Sequence, residues 1–211
     1  GSEMCIRDSE DIASSPVQFG QVSRPGDIKY KDLNHDGVID SNDQAPIGYN
    51  PVPEMTFSLA AGLNWKGIDF SILLQGAARS SIYLQQDIAW DNFWGNYYEE
   101  HIGRWTPETA ATATYPRFTK AATAAHPNYY KSDYWLKDSK YLRLKNIQLG
   151  YTIPRKLLKK FGVRSLRVYA NAYNLFTWDN VKKVDPESSN NSNGQFYPQQ
   201  KVINFGINLN F

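Results

Sequence analysis

The ten residues from Thr56 to Trp65 alternate without a break, and that alternation restricts what the chain can fold into. Phe57, Leu59, Ala61, Leu63 and Trp65 fall on one side of an extended strand, and Thr56, Ser58, Ala60, Gly62 and Asn64 on the other. A period of two is that of β-structure; a helix would scatter both sets around its circumference. Lys66-Gly67 then reads as a tight turn, after which Ile68, Phe70, Ile72 and Leu74 alternate with Asp69, Ser71 and Gln75. Leu73 alone is out of step, and the whole reads as a hairpin. The end of the chain repeats the pattern, with Ile203, Phe205, Ile207, Leu209 and Phe211 opposite Asn204, Gly206, Asn208 and Asn210.

Two further strands are predicted at about 140–152 and 164–177. Their alternation is less clean: Arg143 and Lys145 would share a face with Ile147, Leu149 and Tyr151, which predicts that the charged half stands above a bilayer. Between strands, the turn at 66–67 is short and the 153–163 connection modest, whereas 79–138 and 178–198 are long. Short turns at one end and long loops at the other are the construction of an outer-membrane barrel. Trp65, Tyr151 and Phe211 should then lie together at the periplasmic end as part of an aromatic girdle. A soluble β-sandwich also alternates, but strands of roughly ten residues are long enough to span a membrane.

Composition agrees with this fold class. Aromatic residues make up 14% of the chain, with many Asn, Gly and Ser, a mixture suited to strands and interfacial belts. No apolar run approaches the roughly 18 residues of a transmembrane helix, so a membrane-spanning chain of this kind must be a closed barrel. A net charge of +2 gives no reason to expect nucleic acid. The single cysteine, Cys5, lies in an unpatterned stretch that reads as a tag or junction scar, and no export signal precedes it. The chain is thus expected to be cut from a longer protein. It divides into a scar at 1–9, an extracellular loop at 10–55 and barrel strands with their loops at 56–211. The fold class expected is all-β: the C-terminal antiparallel strands, about five, of a large transmembrane β-barrel with long extracellular loops.

Asp32-Leu-Asn34-His-Asp36-Gly37-Val38-Ile39-Asp40-Ser-Asn-Asp43 is the sharpest motif. It places side-chain oxygens at positions 1, 3, 5, 9 and 12 of a calcium loop, with Gly at 6 and the Val38 carbonyl at 7. Asp43 stands where Glu is usual, and the approach from Asp27 to Lys31 reads as a strand, so this is a loop outside a true EF-hand. The alternative is an Asx-turn connector held by its own hydrogen bonds. In 79–138, Trp90, Phe93, Trp94, Tyr97 and Tyr98 crowd together ahead of Trp105, and a short helix carrying aromatic anchors is expected there. These side chains either contact a partner or ligand or fold the loop on itself. His35, His101 and His126 lack metal spacing and read as solvated loop residues. The basic stretch from Pro154 to Arg164 reads as a turn with one helical turn in it, the alternative being a surface for anionic headgroups. No nucleophile elbow or phosphate loop occurs, and no enzymatic activity is expected.

Several stretches resemble the SusC/RagA family of TonB-dependent outer-membrane transporters of Bacteroidota. They are Pro25 to Asn34 running into the calcium-like loop, Arg104-Trp-Thr-Pro-Glu108, Tyr141 to Ile147 with Leu149 to Pro154, Leu166-Arg-Val-Tyr with Asn174-Leu-Phe176, and Ile203 to Phe211. The terminal Phe211 resembles the signal read by the barrel assembly machinery. The resemblance implies a plugged barrel of about 22 strands, of which this chain holds about the last five. It implies import of oligosaccharides or peptides across the outer membrane of a Gram-negative bacterium. It further implies a SusD-like surface lipoprotein as lid and a TonB complex acting through a plug outside this chain. Calcium is the one cofactor expected. A soluble calcium-dependent carbohydrate-binding module, or a passive porin or siderophore-type receptor, is the alternative.

Overall fold

The structure is a computed structural model that describes residues 2–3, 9–91, 97–120, 125–181, 184–188 and 199–211. The chain forms two compact units, one from Gly1–Tyr49, Ser81–Lys137 and Ser189–Phe196, the other from Asn50–Ser80, Asp138–Ser188 and Tyr197–Phe211.

The second unit is a five-stranded antiparallel sheet. Its strands are β1 (Met55–Trp65), β2 (Ile68–Ala78), β3 (Tyr141–Thr152), β4 (Ser165–Asp179) and β5 (Val202–Asn210). Each pairs with its neighbours in the sequence, giving an up-and-down meander with β1 and β5 at the edges. The β1–β2 turn works because Lys66 and Gly67 both have positive φ, 47° and 88°, the geometry whose twist matches that of paired strands.

Register sorts the side chains into two faces. Reading across β1 to β5, one row runs Trp65, Ile68, Tyr151, Val168, Ile207; the next Leu63, Phe70, Leu149, Ala170, Phe205; the next Ala61, Ile72, Ile147, Ala172, Ile203. This apolar face meets solvent: Leu63 is 61% exposed, Leu149 56%, Phe205 82% and Ile207 69%. A soluble protein rarely leaves such a continuous apolar surface uncovered. The opposite face carries Asn64, Asp69, Ser71, Gln148, Asn171 and Asn204. There Arg167 Nε donates to Asp69 Oδ1 at 2.9 Å, and the pair passes directly over Gly150. A Cβ on Gly150 would lie 2.5 Å from Asp69 Oδ1, so only glycine leaves room for this ion pair.

The expected sharing of a face by Arg143, Lys145 and Ile147 is corrected by a β-bulge. Opposite β2 the register jumps from Leu73↔Asn146 to Leu74↔Leu144, leaving Lys145 as the extra residue. Against β4 it jumps from Tyr173↔Asn146 to Phe176↔Leu144, and Asn174 in the jump takes φ 51°. A bulge reverses which side each later residue faces. Arg143 is thereby turned to the polar face, opposite Thr177 and Gln75, and Leu144 to the apolar one. On β4 the jump spans two residues, so Phe176 and Trp178 stay on the apolar face of Val168, Ala170 and Ala172, at the far end near the row of Phe57. The sheet therefore has an aromatic belt at each end. Phe57 and Trp65 are separated by about 27 Å along β1, or about 20 Å along the membrane normal at a ~40° tilt, close to the apolar band of a barrel.

Candidate functional site

The first unit, built from the two segments that flank the hairpin, has a polar core. Gln18 is the first staple: its Oε1 accepts from Tyr30 N at 2.6 Å and its Nε2 donates to Ile28 O at 3.3 Å. Asn128, fully buried, accepts from Ile28 N at 2.9 Å and donates to Asp27 Oδ1 at 3.1 Å, while Trp135 Nε1 donates to its carbonyl at 2.8 Å. Asp27 also holds Arg117 Nε at 2.7 Å. Paired buried polar groups specify one arrangement, because each partner removed leaves a desolvated group behind. Segments about a hundred residues apart are thus fixed together.

A second buried centre forms around Asp91. Its carboxylate accepts from the Tyr129 hydroxyl, from Tyr115 Oη at 3.3 Å and from Thr119 N at 3.0 Å. Burial, reinforced by Asp91, pushes the Tyr115 and Tyr129 phenols far above their ordinary range, so both stay protonated as donors. His101, 2% exposed, joins this core: Tyr98 N donates to its Nδ1 at 3.0 Å, leaving Nε2 3.2 Å from Ala89 O. The expectation that the histidines are solvated holds for His35 and fails for His101 and for the half-buried His126, whose Nδ1 accepts from Asn128 N. Both imidazoles close local turns, which spacing alone does not reveal.

The aromatic residues singled out in the sequence part company. Trp90 is 4% exposed and packs on Tyr129 with ring centroids 4.7 Å apart, so it folds the unit on itself. Trp105 is half-buried with its ring against Gly26. Tyr97 is 56% exposed, resting on Phe118 at 5.5 Å. Phe93 and Trp94 lie outside the described residues. The expected short helix falls largely on 92–96, outside the described residues; on either side of it the described residues form short 3-10 turns at Gln86–Ile88 and Glu99–Gly103.

A cavity of about 700 Å³ opens within this unit. Tyr30, Tyr83, Trp90 and Tyr130 supply aromatic walls, and Asp40, Asp43, Gln85 and Lys131 supply hydrogen-bonding groups of both polarities. Pockets of this size with flat apolar surface and a few polar groups take small organic ligands or one residue of a polymer.

Asp40 and Asp43 belong to the 32–43 loop. Its oxygens face its own amides: Asp32 accepts from His35 N and Gly37 N, Asn34 from Asp36 N, and Asp36 from Val38 N. Asp40 accepts from Asn42 N, and Asp43 from Leu33 N, Asn34 N and Asp40 N. The donor chemistry is that of a calcium loop, and the arrangement is that of linked Asx turns. Among the described residues no group of three or more His, Cys, Asp or Glu side chains is placed to hold a metal ion. The amides around Asp43, led by Asp40 N, hold its carboxyl below the usual carboxylate range. A carboxyl whose pKa is depressed by folding stabilises the fold above its unfolded pKa and stops doing so as pH falls through the folded value. Protection of the Leu33, Asn34 and Asp40 amides, taken relative to their intrinsic exchange rates, should therefore fall together as pH drops below the ordinary Asp range of about 4, and Asp43→Asn should remove that pH dependence.

No model of a protein family matches the chain. TonB-dependent receptor P26 of Formosa agariphila is 30% identical to it over 222 residues, covering 97% of this chain and 21% of that protein. TonB-dependent receptor SusC of Bacteroides thetaiotaomicron is 26% identical over 195 residues, covering 92% and 18%. Among solved structures, the RagAB peptide importer in the open-open state superposes with a TM-score of 0.69 at 20% identity, covering 100% of this chain and 22% of that one. The chain spans about a fifth of the length of the curated relatives it matches. By sequence and by fold, the chain belongs with the SusC/RagA-type TonB-dependent receptors, as a fragment of their barrel wall with its attached loops.

Proposed function

We propose that this chain forms part of an outer-membrane importer, with the five-stranded sheet as barrel wall and the loop-built unit at the cell surface. The observation that carries the reading is the two-faced meander. One face is apolar, exposed and bounded by aromatic belts; the other is polar, and both edge strands are free to pair onward. The turns at 66–67 and 153–164 mark the periplasmic end, so connections 79–138 and 180–201 leave toward the outside. There a SusD-like lipoprotein would close over the barrel, and energy would come from a TonB complex acting through a plug. The transported nutrient is a glycan on this reading, because the cavity pairs aromatic walls with carboxylate and amide groups suited to a sugar ring. A peptide is the second reading, supported by the likeness to the RagAB peptide importer.

The test uses the full-length transporter and its co-expressed lipoprotein. Tyr97, exposed and braced by Phe118, is the described aromatic best placed to meet a lid. Tyr97→Ala should weaken lid association by up to about tenfold while barrel levels stay normal. Uptake of labelled oligosaccharide against labelled peptide decides the substrate class. Unchanged lid association and uptake would reject the docking role, and a water-soluble, monomeric full-length protein would reject the barrel.

A further inference from the structure

The turn that joins β3 to β4 combines features found nowhere else on the sheet. Between Ile153 and Arg164 the chain carries Arg155, Lys156, Lys159, Lys160 and Arg164 and no acidic residue. All of these cations are exposed, and none makes an ion pair among the described residues. Leu158 is buried and anchors the helical turn Arg155–Leu158, whereas Leu157 and Phe161 stand out at 64% and 76% exposure. An ordinary solvated turn has no use for two large apolar side chains among its charges. The combination is that of a segment lying at a lipid–water boundary, where apolar groups enter the acyl region and cations stay with the headgroups.

A second observation lies on the apolar face beside this turn. Ile68, Leu149, Tyr151, Val168, Ala170 and Phe205 line a groove of about 460 Å³. It exists because Ala170 is small between Leu149 and Phe205 in the same row. Tyr151 lies two residues before the turn begins and Val168 four after it ends, so the groove reaches the level of the cations. Lys66, over the Trp65 ring at 4.9 Å, adds a cation at the same end of the strands.

We propose that turn and groove form one binding site for an anionic phospholipid of the leaflet at the turn end of the barrel. The phosphate would lie among Arg155, Lys156, Lys159 and Lys160, with one acyl chain along Ala170. This rests on the barrel reading above. Charge complementarity selects the headgroup, since clustered Lys and Arg beside a membrane surface attract anionic lipid. The groove distinguishes a site from a diffuse attraction.

The experiment reconstitutes the full-length transporter in lipid nanodiscs containing phosphatidylglycerol and phosphatidylcholine. Lipids retained after detergent extraction are counted by native mass spectrometry. Heat-modifiable mobility first establishes that each variant is a folded barrel; failure there, in the parent protein, would count against the barrel reading itself. The parent should retain phosphatidylglycerol in preference to phosphatidylcholine. Replacing Arg155, Lys156, Lys159 and Lys160 by Ala should reduce that preference by about tenfold or more. Ala170→Phe, which fills the groove without changing charge, should reduce retention of both lipids. Equal retention of the two lipids by the parent, or unchanged retention in either variant, would overturn the proposal.

Discussion

Ile203→Arg should destabilise the assembled barrel by about 2–4 kcal/mol, whereas Leu209→Arg on the same strand should cost no more than about 1 kcal/mol. The difference follows from depth. Ile203 lies on the apolar face in the row of Ala61, Ile72, Ile147 and Ala172, a row whose β1 member is midway between Trp65 and Phe57. An arginine there must keep its charge in hydrocarbon or distort the bilayer to reach water. Leu209, paired with Leu166 close to the turn end, lets a long side chain reach the interface. Asn204→Arg, adjacent to Ile203 and on the polar face, should show no lipid penalty. Denaturant titration of the full-length protein refolded into vesicles reads all three. Equal costs at Ile203 and Asn204 would mean that the apolar face does not meet lipid.

Strand positions were legible in the sequence because lipid on one side and polar groups on the other impose a strict period of two. The expected strands at 56–65, 140–152 and 164–177 agree with β1, β3 and β4 to within two residues at each end. The bulge was not legible, because alternation reads only the residues of one strand, and Lys145 is extra only relative to Asn146 and Leu144 and their partners. The clue available was the clash itself: Arg143 and Lys145 on an otherwise apolar row is a local conflict that a one-residue shift resolves.

The loop unit was less legible for a different reason. Its core depends on contacts between segments about a hundred residues apart, such as Asn128 with Ile28 and Asp27, and no local period announces them. Trp90 and Tyr97 look alike in the sequence, yet one is buried on Tyr129 and the other exposed. The acidic loop shows the limit of a motif. Its residue types fit calcium, but the same oxygens equally satisfy neighbouring amides, and spacing does not choose between these uses.

Arg143→Ala should release the 184–188 segment from the polar face of the sheet at a cost of about 3 kcal/mol, the low end for removing one partner of a buried ion pair. Arg143 has a side chain only 2% exposed, and its guanidinium reaches both Asp185 and Glu187 at 2.8 Å while Nε donates to Thr177 Oγ1 at 2.9 Å. Tyr141 Oη and Lys145 Nζ also hold Glu187, at 2.5 and 3.0 Å, so the segment is fastened by one cation-centred cluster. Removing the guanidinium leaves two carboxylates near each other with Lys145 as their one cationic partner among the described residues. The low end of the range applies because Asp185 and Glu187 are 11% and 20% exposed, and water can partly solvate them. Arg143→Lys keeps the charge but not the planar fork, and should recover only part of the loss. Adding Asp185→Asn and Glu187→Gln to Arg143→Ala should restore much of it, since the stranded charges are then gone. Amide exchange at Glu187 and Ser188, whose N–H groups bond back to Asp185, reports the release directly. Exchange in Arg143→Ala as slow as in the parent would show that the segment is held by other contacts.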